Sequence, residues 1–254
     1  MVNLMEAELA RKEIQIRTKD GTAKAVEFQP EKGRTAGDRP GVILYMDAFG
    51  LRPALDTMAE RLGRAGYIVV VPDLFYRYGD YGPFDAKSAF SDAKVGDRIM
   101  GMIRGTTQDM TRRDSAAFID ALTQAGANGK IGVVGYCMGG ARAITAAAAF
   151  PDRIAAAASF HGGSLASDAA DSPHLQVSRI KGRVYVGSAG VDNSFPPEQS
   201  SRLAEALRRA EIDHIIENYV GMSHGWAVPD HKVFDERGAE RHWKRLLTLF
   251  EETL

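Results

Sequence analysis

The sequence predicts an α/β fold: an open, mostly parallel sheet with helices on both faces, preceded by an N-terminal β-hairpin. Three observations carry this expectation. Residues 41–46 form a continuous apolar run of the kind buried on both faces of a parallel sheet. Further apolar runs alternate with helical patterns in βαβ rhythm. At the start, two alternating segments flank Lys19-Asp20-Gly21-Thr22, where Asp-Gly supplies the positive backbone angles of a tight hairpin turn.

In chain order, residues 13–18 and 23–28 are the hairpin strands, and residues 30–40, rich in Gly, Pro and charge, are a solvated loop. The core begins at Val42. A helix follows at 53–65, a strand at 67–71, a helix at 107–124, a strand at 131–135, a helix at 138–150 and a strand at 154–160. The alternation continues with a strand at 183–187, a helix at 198–210, a strand at 213–219 and a last helix at 236–253. Residues 76–104 have weak periodicity and many Gly, Asp and Tyr residues. They are expected to be irregular, with one or two short helices, at a strand's carboxyl end where such sheets bind ligands. The alanine clusters at 146–149 and 155–158 suit close helix-to-strand packing.

At 254 residues, a single domain spanning residues 1–254 is expected. There is no internal repeat and no linker-like change of composition. The net charge of -1 gives no global field to gather nucleic acid or an anionic membrane surface, so neither is an expected partner. The longest apolar stretch, residues 143–151, is far short of the ~20 residues that cross a bilayer. The single cysteine excludes an internal disulfide, and Glu6 and Glu8 stand where a signal peptide would be cationic and apolar, so a cytoplasmic setting is expected.

The strongest chemical signal is Gly135-Tyr136-Cys137-Met138-Gly139, between an expected strand and an alanine-rich helix. It has the form G-x-nucleophile-x-G, in which flanking glycines admit a strained bend packed against neighbouring backbone. The bend puts sulfur at a helix amino end, whose partial positive charge favours a thiolate, and directs the Met138 amide toward a developing oxyanion. A lone cysteine at such a turn is more often a small buried hydrophobe. What argues against that here is the order of candidate partners: nucleophile, acid, histidine, the latter two in loops after successive strands. Asp192 lies in Gly190-Val191-Asp192-Asn193, and His224 in Met222-Ser223-His224-Gly225-Trp226. His224 is expected to move the proton and activate water, and Asp192 to fix its tautomer. His161, in His161-Gly162-Gly163, is expected to be structural or adjacent to substrate. The remaining histidines have no ligand spacing, so no metal site is read.

With the elbow, the segments Met46-Asp47-Ala48-Phe49-Gly50 and Val71-Pro72-Asp73-Leu74-Phe75-Tyr76-Arg77 resemble the dienelactone hydrolase family of α/β-hydrolases. Cysteine in place of the usual serine is the most specific shared feature. The resemblance implies an α/β-hydrolase fold and cofactor-independent hydrolysis of a small ester or lactone, by a monomer or small homo-oligomer. It also implies that Cys137, Asp192 and His224 form the triad, that Ala48 and Met138 supply oxyanion-binding amides, and that Arg77 binds a substrate carboxylate. Asp47 replaces a glutamate that pairs with the resting thiol in the dienelactone enzymes. One methylene shorter, it is open to orienting Arg77 or its own loop instead, or to capping the following helix. Val228 stands where those enzymes carry a second carboxylate-binding arginine. Trp226, Phe49, Phe75 and Tyr78 are candidates for an aromatic wall. Two alternatives remain at this level: a carboxylesterase or thioesterase with a neutral substrate, and a non-catalytic binder or redox sensor that uses Cys137 as a reactive thiol.

Overall fold

The computed structural model describes residues 9–30 and 39–254, so most of the expected 30–40 loop, and the first eight residues, lie outside the described residues. An eight-stranded sheet runs in the order β1-β2-β4-β3-β5-β6-β7-β8. The hairpin strands β1 (Leu9–Thr18) and β2 (Gly21–Pro30) are antiparallel, and β2 joins β4 (Ile68–Pro72) antiparallel. From β4 onward the pairing is parallel through β3 (Gly41–Tyr45), β5 (Ile131–Tyr136), β6 (Ile154–Phe160), β7 (Arg183–Val191) and β8 (His214–Ser223). Strands β3, β4 and β5 are buried at every position, as expected where helices cover both faces.

Helices α1 (Pro53–Arg64) and α6 (Glu236–Thr253) share one face, joined by Arg61 Nη2 donating to Glu240 Oε2 at 2.7 Å. Helices α3 (Gln108–Gln124) and α4 (Met138–Ala149) pack together on the other. Helix α5 (Pro197–Arg209) packs against the 3-10 turns at Pro173–Arg179, which lie on α4. Local chemistry sets the helix starts: Pro53 and Pro197 occupy first-turn positions, and Asp235 accepts the Gly238 N–H at 2.7 Å. Ala146, Ala147 and Ala148 of α4 are buried against β6, whose Ala156–Ala158 segment is buried as well.

Three local expectations are corrected. The hairpin turn is Lys19-Asp20 alone, since Thr18 pairs with Gly21, and only Gly21 has a positive φ. Strands β7 and β8 run on to Val191 and Ser223, with a register shift between Ala189 and Val191. The added residues 188–191 and 220–223 are rich in glycine and serine and mostly exposed, so no apolar period marks them as strand. Within residues 76–104 lies a full helix, α2 (Ala93–Gly105), which buries Gly96, Ile99 and Met102 and is capped by Asp92 accepting the Lys94 and Val95 N–H groups. Spacing of three between its buried positions is helical, but three glycines and a short apolar stripe weaken the pattern.

Candidate active site

The Gly135–Gly139 segment folds as a sharp bend. Cys137 precedes the first residue of α4 with φ 55° and ψ -122°, a region that L-residues seldom adopt. A Cβ at Gly135 would fall 1.9 Å from the Gly139 carbonyl oxygen, and one at Gly139 would fall 2.3 Å from that of Tyr45. The two glycines therefore let α4 lie directly on the carboxyl end of β3. The Cys137 N–H is shared between the Phe160 carbonyl at 3.2 Å and His161 Nδ1 at 3.1 Å.

Cys137 is partly exposed and opens into a cavity of about 380 Å³. Every parallel strand from β3 outward to β8 delivers a residue to its wall: Phe49 after β3, Cys137 after β5, Gly163 after β6, Ser194 after β7 and His224 after β8. Met100 and Ile103 of α2 close one side, so the helix that the periodicity missed is part of the pocket. Ala48 and Met138 line it too. The amide of Met138 lies in the first turn of α4, where backbone N–H groups have no partner within the helix.

Of the three candidate triad residues, His224 touches the other two. Its Nδ1 donates to Asp192 Oδ2 at 2.7 Å, and the ring lines the cavity beside Cys137, near enough for the thiol to act on it. The Asp192 carboxylate is 2% exposed. Its Oδ1 accepts the Ser194 N–H at 2.7 Å, which fixes it in an Asx turn. Burial alone would lower the His224 pKa. The Cys137 charge and the bond to Asp192 outweigh it and raise the imidazolium to about 10.

Asp47 does not reach sulfur and does not orient Arg77. It is fully buried, accepts the Phe49 N–H at 3.0 Å, and receives both Nη groups of Arg52 at 2.7 and 2.8 Å. His231 Nε2 donates to its Oδ2 at 2.9 Å, and Arg52 also clamps Asp230 through Nε and Nη2 at 2.6 and 2.8 Å. Burial pushes the Asp47 carboxyl up, but the His231 and Arg52 bonds prevail and hold it at about 2. This ion cluster braces the loop that carries Ala48 and Phe49.

The structure does not bring Arg77 to the cavity. Both Nη groups pair with Asp114 at 2.8 Å, and Nε and Nη2 reach Asp20 at 3.1 and 2.6 Å. The guanidinium thus ties the hairpin turn to α3, with its fork already filled by carboxylates of this chain. Tyr78 is 40% exposed and leans on Phe75, outside the cavity wall. Trp226 is fully buried and stacks on Tyr219 at 4.6 Å. Val228 is fully buried also. Of the four aromatic candidates, only Phe49 lines the pocket. His161 sits one layer behind, edge-on to His224 at 5.2 Å and to Trp226 at 5.0 Å. Burial keeps it neutral, its pKa well below the usual range.

Sequence reasoning missed His231, Arg52 and Asp230, and Gln108 and Arg142 of the cavity wall. Asp230-His231 lies in the His224 loop and Arg52 in the Asp47 loop, so proximity to named candidates was the available signal. For Arg142, it was a lone charge in an alanine-rich helix.

Comparison with known proteins agrees with this architecture. A Rhodococcus opacus carboxymethylenebutenolidase is 26% identical over 223 residues, covering 86% of this chain and 83% of its own. The crystal structure of a Klebsiella pneumoniae subsp. pneumoniae protein provisionally named a dienelactone hydrolase superposes with TM-score 0.82 at 20% identity, covering 96% of this chain and 99% of that one. A dienelactone hydrolase-like promiscuous phosphotriesterase from metagenomic libraries gives TM-score 0.77 at 26% identity, with 96% and 98% covered. The family model described as "Dienelactone hydrolase family" matches residues 24–254, and on that match the chain belongs to the dienelactone hydrolase family, a hydrolase of esters or lactones on the α/β-hydrolase fold.

Proposed function

We propose that this chain hydrolyses a small ester or lactone through a Cys137 thioester. Sulfur attacks the carbonyl carbon, and the oxyanion rests against the Ala48 and Met138 amides. As the tetrahedral adduct collapses, the C–O bond to the leaving group breaks and His224 gives that oxygen its proton. A water molecule then loses a proton to His224 and attacks the thioester. Collapse releases the acid and the thiolate, which His224 reprotonates or pairs with. Asp192 holds the imidazole in the tautomer with Nδ1 protonated, so Nε2 faces sulfur.

The observation that carries this reading is the His224 ring bonded to the buried Asp192 carboxylate and set beside Cys137, at the wall of a cavity served by five strand ends. A binder or sensor has no need of that relay. The test is steady-state hydrolysis of a neutral aryl ester by wild type and Cys137→Ala, with intact-mass detection of the acylated chain after rapid acid quench. Wild-type turnover with a one-acyl mass increment, both absent from Cys137→Ala, is expected. Equal turnover in the variant would overturn the proposal.

A further inference from the structure

The end of β6 and the loop after it grip the Cys137 bend at both of its main-chain polar groups. The Phe160 carbonyl accepts the Cys137 N–H at 3.2 Å, and the Gly163 N–H donates to the Cys137 carbonyl at 3.3 Å. These contacts join main chain to main chain and ask nothing of the side chains. One side chain adds to them: His161 Nδ1 also accepts the Cys137 N–H, at 3.1 Å. Because Nδ1 is the acceptor there, the neutral ring carries its proton on Nε2. Burial keeps the ring neutral, reinforced by the nearby His224, His231 and His242.

Packing alone does not call for an imidazole at this position. His161 is 1% exposed, and its Nε2 is buried with no hydrogen-bond partner among the described residues, so the fold bears the desolvation of an unpaired N–H group. Its backbone stands at φ 39°, in the left-handed region that most side chains avoid. The rings of Tyr136, His224, Trp226 and His231 surround it at centroid distances of 5.8, 5.2, 5.0 and 6.3 Å. A phenyl ring would fill such an aromatic enclosure without an orphan donor, and the Cys137 N–H would still have the Phe160 carbonyl. What the imidazole adds is a second lone pair on the amide of the proposed nucleophile.

We infer that His161 is a positioning residue for the nucleophile: its Nδ1 lone pair holds the Cys137 amide and so sets the direction in which the Cys137 side chain leaves the bend beside His224. The inference rests on the proposed Cys137 chemistry. An N–H shared between two acceptors weakens one bond or the other whichever way its peptide plane turns, so rotation about the Cys137 φ is resisted. Sulfur lies two bonds beyond Cα, and a turn of the backbone there sweeps it along the cavity wall. Misplacing a reacting atom by about 1 Å costs up to about a hundredfold in rate. His161 is not among the residues that line the cavity, so it acts through Cys137 and not on the substrate.

The competing role is that of an aromatic filler, and two variants separate the two. In His161→Asn an acceptor oxygen stands on Cγ where histidine carries Nδ1, and asparagine tolerates positive φ, but the space of the ring is left empty. In His161→Phe the ring is kept and the lone pair is lost. Stability and activity are therefore expected to rank in opposite orders. Thermal unfolding places His161→Phe above His161→Asn. With a neutral aryl ester, kcat of His161→Asn stays within about threefold of wild type, while kcat of His161→Phe falls about tenfold or more at unchanged KM. The pH midpoint for alkylation of Cys137 by iodoacetamide rises in His161→Phe and holds in His161→Asn. A filler gives the same rank by both measures and an unmoved midpoint in His161→Phe, which would overturn the inference. Should neither variant fold, wild type labelled with 15N-histidine is read by long-range proton–nitrogen NMR, the ring being assigned by its proximity to Trp226. A proton on Nε2 at every pH where the fold persists supports the inference, and a proton on Nδ1 overturns it. Cys137→Ala, assayed alongside, keeps the two questions apart: full activity there would end the thioester reading, whereas the alkylation midpoint and the ring tautomer report on the His161 contact.

Discussion

His224 is held by opposing influences, and each can be removed singly. In Asp192→Asn the ring loses a charged acceptor and its fixed tautomer, and kcat is expected to fall roughly a thousandfold or more; steady-state rates with a neutral ester check this. Burial pulls the imidazolium pKa down, while the Cys137 charge and the Asp192 bond carry it up to about 10. Its contribution to stability is therefore present in full below the unfolded histidine's pKa, about 6.5, and is lost as pH rises through about 10. In Cys137→Ala the first raising influence disappears, so the His224 imidazole should titrate at lower pH than in wild type. A proton NMR titration of the ring measures it directly, and an unchanged midpoint would mean that sulfur does not act on the ring. That Cys137, Asp192 and His224 come together was legible in the sequence because the order expected of a nucleophile, an acid and a histidine is itself a pattern. Arg52 and Arg142 were not, because an arginine's partners lie wherever the fold brings them.

Among elements, the junction of β3, β5 and α4 is set by backbone against backbone. In Gly139→Ala the new methyl meets the Tyr45 and Met46 carbonyl oxygens at 2.3 and 2.5 Å. Neither main-chain atom can swing aside, so α4 must lift off β3. A loss of stability of several kcal/mol is expected, with loss of esterase activity even where the variant folds, since Ala48 and Met138 are displaced from each other. Urea unfolding and a neutral-ester assay read the two effects. Strands β3 to β6 were legible because burial on both faces writes an unbroken apolar run. The distal parts of β7 and β8 and the whole of α2 are set by long-range packing at the rim, where exposed and buried positions mix. That explains why the pocket's α2 wall was harder to foresee than its floor.

For the whole molecule, Arg77 acts as a tie between distant parts of the chain. It couples the hairpin turn at Asp20 to α3 at Asp114, whose side chain is 4% exposed. Arg77→Ala leaves that carboxylate buried without its cation, and a destabilisation of about 3 kcal/mol is expected, seen as a lower Tm, with KM for a carboxylate-bearing ester unchanged. A raised KM at an unchanged Tm would return Arg77 to the substrate. The Asp47 cluster supplies a second long-range tie, between the loop after β3 and the loop after β8. With its carboxyl held at about 2 against an unfolded value of about 3.9, its contribution is present above the unfolded pKa and is lost as pH falls through about 2.

The backbone of Cys137 has a consequence for how this protein is balanced. An L-residue at φ 55° and ψ -122° stores about 1–3 kcal/mol of strain, and glycine alone adopts such angles freely. With sulfur removed in both, Cys137→Gly should be more stable than Cys137→Ala by about 1 kcal/mol, the reverse of the usual order for these two residues. Thermal unfolding of the pair would measure how far the fold holds its proposed nucleophile in a posture that a residue without a side chain would take more easily, so that the shape of this bend comes at the expense of ruggedness.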